Sequence, residues 1–242
     1  MYNFFVKNEQ INESNIKIAG NDYNHIKNVL RLKPKETIQI CDIDTGKAWL
    51  CEIVSLEQDF VLCSIIKNMP SNESIVKTTI FQGIPKAGKM ENIIQKSVEL
   101  GVHNIVPVKM EYCIGKVNNE DKKIKRWQAI SEAASKQSKR TIIPKVHLPI
   151  DMKTLYNEIK QYDLAIVAYE NEKGITIKNE LTNRNDIENI AVIIGPEGGL
   201  SKKEVEELVH CGAKSVSLGK RILRTETASS TILSIIMYEY EL

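Results

Sequence analysis

Two glycine-containing runs near the end of the chain hold the residues whose types and spacing could do chemistry. The first is Gly195-Pro196-Glu197-Gly198-Gly199, and the second is Leu218-Gly219 with Ile222-Leu223-Arg224. Three glycines in five residues allow positive φ angles and a close approach of the backbone to a ligand. A carboxylate in the first run and a guanidinium in the second could bind a polar ligand or assist a proton transfer.

A glycine loop that precedes a helix often binds phosphate, but the spacing here matches neither G-x-x-x-x-G-K-[ST] nor G-x-G-x-x-G. Glu197 would repel a phosphate, whereas hydroxyls, amines and cations are compatible with it. An uncharged nucleoside with a positive centre, such as S-adenosylmethionine, therefore suits the loop better than ATP or NAD. The residues alone leave a second interpretation open, in which the loop is only a tight connection between a strand and a helix.

Buried strands and capped helices must position these runs. The apolar run 191–194 is typical of a parallel strand buried on both faces. Ser201 and Glu204 form a capping box that predicts the start of a helix, and Gly212 ends that helix. A strand over 214–218 and an apolar last helix that starts near Thr225 complete this part of the chain.

Strands and helices alternate from residue 77 onwards, which predicts an α/β domain with a parallel sheet. Predicted strands cover 77–84, 104–108 and 164–168, predicted helices cover 91–100, 124–139 and 155–159, and 171–189 is polar and irregular with one short helix. Residues 1–70 instead contain a short helix over 21–30 and strand-like runs at 38–41, 48–54 and 60–66, which predict a small β-barrel. The polar segment 69–74 is the predicted linker, so the domains are 1–70 and 73–242.

The composition is that of a globular protein, with 26% charged and 42% hydrophobic residues. No apolar run is long enough to span a membrane, and the first residues do not read as a signal peptide. The five cysteines have no C-x-x-C spacing and the four histidines are scattered, which argues against zinc and against a disulfide framework. We therefore expect a cytoplasmic protein with reduced thiols and no metal.

The net charge of +2 does not by itself indicate a nucleic-acid partner, but the charge is unevenly distributed. Residues 116–145 carry nine Lys and Arg against three Asp and Glu, whereas residues 1–70 carry eight against nine. A local basic stretch is typical of a surface that faces phosphates. The alternative is a lysine-rich helix that only faces water.

Together, the two glycine runs and the Glu226-Thr227-Ala228 that follows them resemble the SPOUT superfamily of RNA methyltransferases. More narrowly, they resemble the bacterial 16S ribosomal RNA uridine-N3 methyltransferases. Three further stretches carry this resemblance, which extends over nearly the whole chain: His25-x-x-x-Val29-Leu30-Arg31-Leu32, Gln95-Lys96-Ser97-Val98-Glu99-Leu100-Gly101-Val102, and Glu132-Ala133-Ala134-x-x-Gln137-Ser138-x-Arg140. Thr225 departs from the alanine expected in many relatives, but both residues are small.

The resemblance implies a parallel-sheet SPOUT domain with a trefoil knot through the loops 168–170, 195–199 and 218–228, preceded by a PUA-like RNA-binding domain. It further implies a homodimer that acts on 16S rRNA of the small ribosomal subunit. The implied cofactor is S-adenosylmethionine, held by Ala168, Tyr169, Glu170, Ile194, Gly195, Pro196, Glu197, Gly198, Gly199, Leu218, Gly219, Ile222, Leu223, Arg224, Thr227 and Ala228. Leu218 and Ile222 could instead serve ordinary core packing.

The implied target, uracil N3–H, is a weak acid with a pKa of about 10, close to that of a phenol. The site therefore needs a proton acceptor or donors that stabilise the uracil anion. Glu197 is the candidate acceptor and Arg140 and Arg224 are the candidate donors, unless they form structural ion pairs. Candidate RNA contacts are Arg31, Lys86, Lys89, Lys136, Lys139 and Arg140. The rival functions are methylation of tRNA or of a ribose 2′-OH, and rRNA binding without catalysis.

Overall fold

The computed structural model describes residues 1–86, 88–115, 119–182, 184 and 186–242. The chain folds into two compact units. The first contains residues 1–73 and 135–143, and the second contains residues 74–134 and 144–242. The division into domains at 1–70 and 73–242 did not foresee that the segment 135–143 packs with the N-terminal residues.

The first unit is built on a curled five-stranded sheet, a half-barrel with the strand order β1-β3-β4-β5-β2. Strand β1 is parallel to β3 and the other pairs are antiparallel. Alternate residues such as Ile38 and Ile40 point into one core, as expected for a sheet with one buried face. The strands are β1 (Asn3–Val6), β2 (Asn15–Ala19), β3 (Thr37–Asp42), β4 (Ala48–Leu56) and β5 (Phe60–Met69).

A helical segment connects β2 to β3. It consists of α1 (Gly20–Asn24) and a π-helical stretch, His25–Leu30. The single helix predicted over 21–30 therefore changes its helical type along its length. Arg31 ends the segment in the left-handed conformation, with φ of 53°, and its side chain is exposed.

The second unit is a parallel sheet with helices on both faces. Its strand order is β12-β10-β11-β6-β7-β8, with β9 paired to β7. The strands are β6 (Lys77–Gly83), β7 (Asn104–Lys109), β8 (Lys145–Val146), β9 (Ile150–Asp151), β10 (Leu164–Ala168), β11 (Asn189–Ile194) and β12 (Lys214–Val216). The helices are α2 (Lys89–Glu99), α3 (Glu120–Ser138), α4 (Met152–Glu158), α5 (Ile177–Leu181), α6 (Lys202–His210) and α7 (Thr225–Glu241).

Neighbouring residues of the central strands alternate between two hydrophobic cores. Ile80 and Val192 belong to one core, and Phe81 and Ile193 belong to the other. Because both faces of these strands are buried, their sequences are continuously apolar. The predicted fold class, a parallel-sheet α/β domain preceded by a small β-rich domain, is confirmed.

The bounds of several elements differ from those predicted. Helix α2 begins at Lys89 rather than 91, α3 begins at Glu120 rather than 124, and β12 ends at Val216 rather than 218. Strand β5 continues to Met69, so the linker starts after it. Residues 183 and 185 of the irregular segment lie outside the described residues, and the trefoil knot stays a prediction.

Candidate active site

The carboxyl ends of three neighbouring parallel strands meet at one edge of the sheet in the second unit. Ala168, the last residue of β10, pairs with Ile194 at the end of β11 and with Val216 at the end of β12. The loops that follow these strands therefore converge, at the edge where open α/β sheets bind ligands. They surround a cavity of about 500 Å³.

Nearly all of the predicted cofactor-binding residues line this cavity. They are Ala168, Tyr169, Glu170, Ile194, Gly195, Pro196, Glu197, Gly198, Gly199, Leu218, Gly219, Ile222, Leu223, Arg224 and Ala228. Thr227 is exposed on α7 and lies outside this lining. The cavity is also lined by residues that were not predicted to bind the cofactor, namely Lys89, Leu200, Ser217, Lys220, Arg221 and Thr225.

The glycines of the first loop allow close packing in different ways. Gly199 has a φ of 73°, which favours glycine. Gly198 has no positive φ, so the positive φ angles that the glycines of this run allow are not used at this position. Its constraint is steric, because a Cβ built on Gly198 would lie 2.8 Å from the Cβ of Tyr112. A Cβ on Gly195 would lie 2.9 Å from the carbonyl carbon of Gly199.

The next helix starts as the sequence predicts. The Ser201 hydroxyl accepts a hydrogen bond from the Glu204 N–H at 3.3 Å, and the Glu204 carboxylate accepts one from the Ser201 N–H at 2.9 Å. This reciprocal capping box satisfies two N–H groups at the amino end of α6. The loop 195–199 is therefore anchored at its far end by a defined helix start.

Glu197 is held by the start of α2. Its carboxylate accepts hydrogen bonds from the Lys86 N–H at 3.1 and 3.2 Å and lies 3.0 Å from the Lys89 Nζ. Burial alone would raise the pKa of Glu197, but hydrogen bonds from its own backbone, from Lys89 and from Lys86 outweigh burial and lower it. A carboxylate with a lowered pKa is a weak proton acceptor.

Lys89 joins two walls of the cavity. Besides Glu197 in the glycine loop, its ammonium lies 3.6 Å from the carboxylate of Glu226 in the first turn of α7. The hydrogen bond to Glu197 is the largest cause of a raised pKa for Lys89. The structure places the charge of Lys89 between these two carboxylates, and its contact with RNA stays a prediction.

A buried polar network that the sequence did not reveal connects β6 with the cavity. The side chain of Gln82 is fully buried. Its amide nitrogen donates to the Thr225 hydroxyl at 2.8 Å, and its amide oxygen accepts from the Ser229 hydroxyl at 2.8 Å. Thr225 in turn donates to the carbonyl of Gly195 at 2.7 Å. One indication of this network was present in the sequence: Gln82 is a polar residue that directly follows two apolar residues in a buried strand.

Arg224 is the N-cap residue of α7, and its exposed side chain lines the cavity together with Glu197. Ile222 is 85% exposed, so the alternative that it serves core packing is wrong. Leu218 and Leu223 line the cavity and also pack against the buried core. The structure therefore brings Arg224 and Glu197 together, whereas Arg140 belongs to the first unit.

Arg140 is buried, with only 6% of its side chain exposed. Its guanidinium donates to the carboxylate of Glu73, at 3.0 Å from Nε and at a shorter distance from the Nη2 atom. The same carboxylate accepts from the Thr141 N–H at 2.8 Å. Arg140 therefore forms a structural ion pair with Glu73, which is the alternative that the sequence analysis left open for this residue.

The remaining candidates for RNA contacts differ in solvent exposure and in ion pairing. The Lys136 ammonium lies 2.8 Å from the Asp22 carboxylate. Arg31, Lys86 and Lys139 have exposed side chains. Residues 116–118 of the predicted basic stretch lie outside the described residues.

The described residues contain neither a candidate metal site nor a candidate membrane span. No group of three or more His, Cys, Asp or Glu is placed to hold a metal ion in this part of the chain. No helix within the same residues combines the length and hydropathy needed to cross a membrane.

Comparison with known proteins matches both units. A family model for an RNA methyltransferase domain matches residues 72–237, and a model for an RNA methyltransferase PUA domain matches residues 18–66. The ribosomal RNA small subunit methyltransferase E of Bacillus subtilis is 34% identical over 255 residues, covering 100% of this chain and 98% of the relative. The protein of the same name from Mesomycoplasma hyopneumoniae is 33% identical over 235 residues, covering 97% and 98%.

A solved structure also matches. It is a ribosomal RNA small subunit methyltransferase E from Neisseria gonorrhoeae bound to S-adenosyl methionine. Its TM-score is 0.88 at 30% identity, and the match covers 99% of this chain and 98% of that one.

Proposed function

Because this chain belongs to the RNA methyltransferase family, we propose that it transfers a methyl group from S-adenosylmethionine to N3 of a uridine in 16S rRNA of the small ribosomal subunit. The convergence of three loops on one cavity, lined by the residues expected to hold the cofactor, carries this proposal. A cavity of about 500 Å³ lies within the range of roughly 300–1,000 Å³ that is typical of small-molecule sites.

The lining suits a nucleoside with a positive centre. Gly195 and Gly199 line the cavity without side chains, so the edge of a base can approach the backbone closely, and Leu218 and Leu223 provide apolar contacts for its faces. Glu170 places a carboxylate on the lining for the positive centre, since the carboxylate of Glu197 is already paired with Lys89. When bound, S-adenosylmethionine supplies an electrophilic methyl group on a positively charged sulfur.

Arg224 is the residue that we propose acts on the reacting base. Uracil N3 becomes a good nucleophile once its proton leaves, and the resulting negative charge spreads onto O2 and O4. A guanidinium that donates to either oxygen favours the anion and lowers the pKa of N3–H. Arg224 has an exposed side chain on the cavity and sits at the positive amino end of α7.

Glu197 has a different role in this proposal. Its lowered pKa and its bonds to Lys86 and Lys89 make it a poor base for a proton as weakly acidic as uracil N3–H. Glu197 therefore holds the glycine loop in place, and the proton of N3 passes to water. Arg140 stabilises the first unit through Glu73.

The RNA is held by phosphate contacts from exposed cations. Arg31, Lys86 and Lys139 have accessible side chains, whereas Lys89 and Lys136 are already paired with carboxylates. The PUA-like match over residues 18–66 includes Arg31, which supports an RNA-binding role for the first unit. An enzyme with this substrate would act in the cytoplasm.

A homodimer with the cavity at its interface is a further part of the proposal and rests on the family resemblance. Ile232, Leu233 and Ile236 of α7 are buried within the single chain, so these apolar side chains of the last helix are used inside the subunit and do not argue for a dimer. Light scattering at micromolar concentration should give the mass of a dimer, and a monomer would contradict this part of the proposal.

Mass-spectrometric mapping of methylated nucleosides in 16S rRNA tests the central claim. Cells that lack the protein should lose one N3-methyluridine from 16S rRNA, and the purified protein should restore it with S-adenosylmethionine. Loss of a methyl group from tRNA or from a ribose would favour a rival substrate. An unchanged methylation pattern would contradict the proposed reaction and would favour the remaining rival function, rRNA binding without catalysis.

A further inference from the structure

An exposed aromatic ring stands beside the glycine loop. Tyr112 follows β7 and is 46% exposed. It packs so closely on Gly198 that a Cβ built on that glycine would lie 2.8 Å from the Tyr112 Cβ and 3.6 Å from its Cγ. Gly198 lines the cavity, but Tyr112 does not. The ring is therefore a neighbour of the cavity that faces solvent.

The turn that carries Tyr112 is fixed on both sides. The N–H of Glu111 donates to the Glu204 carboxylate at 2.8 Å, and the N–H of Cys113 donates to the carbonyl of Met110 at 3.1 Å. Glu204 is only 6% exposed and also accepts from the Ser201 N–H. The same buried carboxylate thus caps α6 and holds the turn. Tyr112 is presented from a rigid support, which reduces the entropy lost when a ligand binds it.

Tyr112 is held in this position neither by a hydrogen bond of its hydroxyl nor by burial in a hydrophobic core. Within the part of the chain that the structure describes, the Tyr112 hydroxyl has no hydrogen-bond partner. An exposed, fixed aromatic face is the usual means by which proteins hold unpaired RNA bases, because every base can stack on it. Ile222, which is 85% exposed, adds apolar surface to the cavity that Gly198 also lines.

We propose that Tyr112 stacks on an unpaired base of the RNA, next to the uridine that enters the cavity. This inference rests on the proposed function. The stacked base is a neighbour of the target because the ring adjoins Gly198 without lining the cavity. The substrate must therefore present at least two consecutive unstacked nucleotides. Tyr112 is in this view a substrate-binding residue that favours RNA with an unpaired base beside the target.

Two substitutions separate stacking from packing. Tyr112→Phe keeps the ring, and Tyr112→Leu keeps the contact of Cβ and Cγ with Gly198 but removes the flat face. The probe is the small ribosomal subunit from cells that lack the protein. Methyl transfer from labelled S-adenosylmethionine, equilibrium binding of the subunits, and calorimetry with the cofactor are measured for each variant.

Tyr112→Leu should raise both the KM and the Kd for subunits about tenfold or more, the size typical of losing one stacked base. Tyr112→Phe should stay within about twofold of the wild type, and cofactor affinity should be unchanged in both. Normal subunit binding by the leucine variant would overturn the inference, as would a phenylalanine variant that is equally impaired. Weakened cofactor binding by the leucine variant would show a packing role instead.

Methylation of the subunits by the wild-type protein distinguishes a failure of the proposed function from a failure of the inference about Tyr112. If it does not methylate the subunits, the proposed function fails, and the comparison of subunit Kd values still decides whether the ring binds RNA. If it methylates them and the leucine variant behaves normally, only the inference about Tyr112 fails.

Discussion

At the scale of single residues, Arg224 carries the clearest chemical prediction. Replacing it by lysine keeps one positive charge at the cavity but loses the planar pair of donors. We expect Arg224→Lys to lower single-turnover methylation by roughly 10²-fold, the size typical of losing one transition-state donor. Cofactor affinity, measured by calorimetry, should remain nearly normal. A variant that binds cofactor and RNA and methylates at the wild-type rate would remove Arg224 from the mechanism.

Glu197 gives a prediction about pH. Its pKa is lowered from the usual value of 4.5, so the folded state binds this proton less tightly than the unfolded chain does. The stabilisation is therefore fully present above about pH 4.5 and is lost as the pH falls through the lowered pKa. Urea unfolding of wild type and Glu197→Gln should show a constant difference in the free energy of unfolding near pH 7, which shrinks in acid. A difference that grows in acid would contradict the ion pair with Lys89.

The site residues that could be predicted from the sequence are those that lie in the two glycine-containing runs. Gly195 and Leu223 lie in such runs, and both line the cavity. Gln82 could not be found in this way, because its partners Thr225 and Ser229 are more than 140 residues away along the chain. The ion-pair partner of Arg140 could not be found for the same reason. Its partner, Glu73, lies 67 residues earlier, and an arginine in a basic stretch resembles a free cation.

At the scale of elements, the hydroxyl of Thr225 ties the start of α7 to the glycine loop. Thr225→Val keeps the shape but leaves the Gly195 carbonyl and the Gln82 amide each without one partner. We expect a loss of about 1–3 kcal/mol in stability, together with weaker cofactor binding. Urea unfolding followed by the fluorescence of Trp127, in a Trp49→Phe background, measures the stability of this unit.

The control for that variant is Thr227→Val on the same turn of α7. Thr227 is exposed, so its substitution should change stability by less than about 0.5 kcal/mol. Equal losses in both variants would mean that valine disturbs the helix itself. No loss in Thr225→Val would mean that the network contributes little to the position of α7.

The glycine loop gives an independent prediction about packing. Gly198→Val should weaken cofactor binding strongly, because the new side chain must displace Tyr112, whose Cβ would lie 2.8 Å from the added Cβ. Calorimetry measures the cofactor Kd. Gly174→Val is a matched control, since a Cβ there meets only the Glu172 Oε1 atom at 3.6 Å and Gly174 has no positive φ. Unchanged affinity in Gly198→Val would show that the loop adapts.

The types of the elements could be predicted better than their limits. Continuous apolar runs such as 191–194 specify buried parallel strands because both faces need apolar side chains. The predicted start of α2 was late because it was placed where the amphipathic pattern begins, whereas the helix starts at Lys89, directly after Gly88 with φ of 87°. A turn of this kind does not change the spacing of apolar residues, so the start of the helix cannot be predicted from that spacing.

At the scale of the whole molecule, the segment 135–143 belongs to the first unit although it begins with the last four residues of α3, whose earlier residues belong to the second. Arg140 and Thr141 bind Glu73, and the Arg140 carbonyl accepts from the side-chain amide of Asn3 at 2.9 Å. Such contacts between distant parts of a chain cannot be derived from local patterns. They also mean that a fragment of residues 73–242 would expose buried groups, so cofactor binding is better tested on the full chain.

Cys41 lies beside this segment, with its thiol 3.8 Å from the Arg140 carbonyl, and burial raises its pKa to about 11. It should therefore resist alkylation until the first unit opens. Arg140→Leu leaves Glu73 charged and largely buried, which typically costs about 3–5 kcal/mol. Mass spectrometry should then show Cys41 alkylated roughly 10²- to 10³-fold faster. Arg126→Leu, which breaks the exposed pair with Glu91, should have almost no effect. Equal protection of Cys41 in both variants would mean that the Arg140 ion pair does not hold the segment to the first unit.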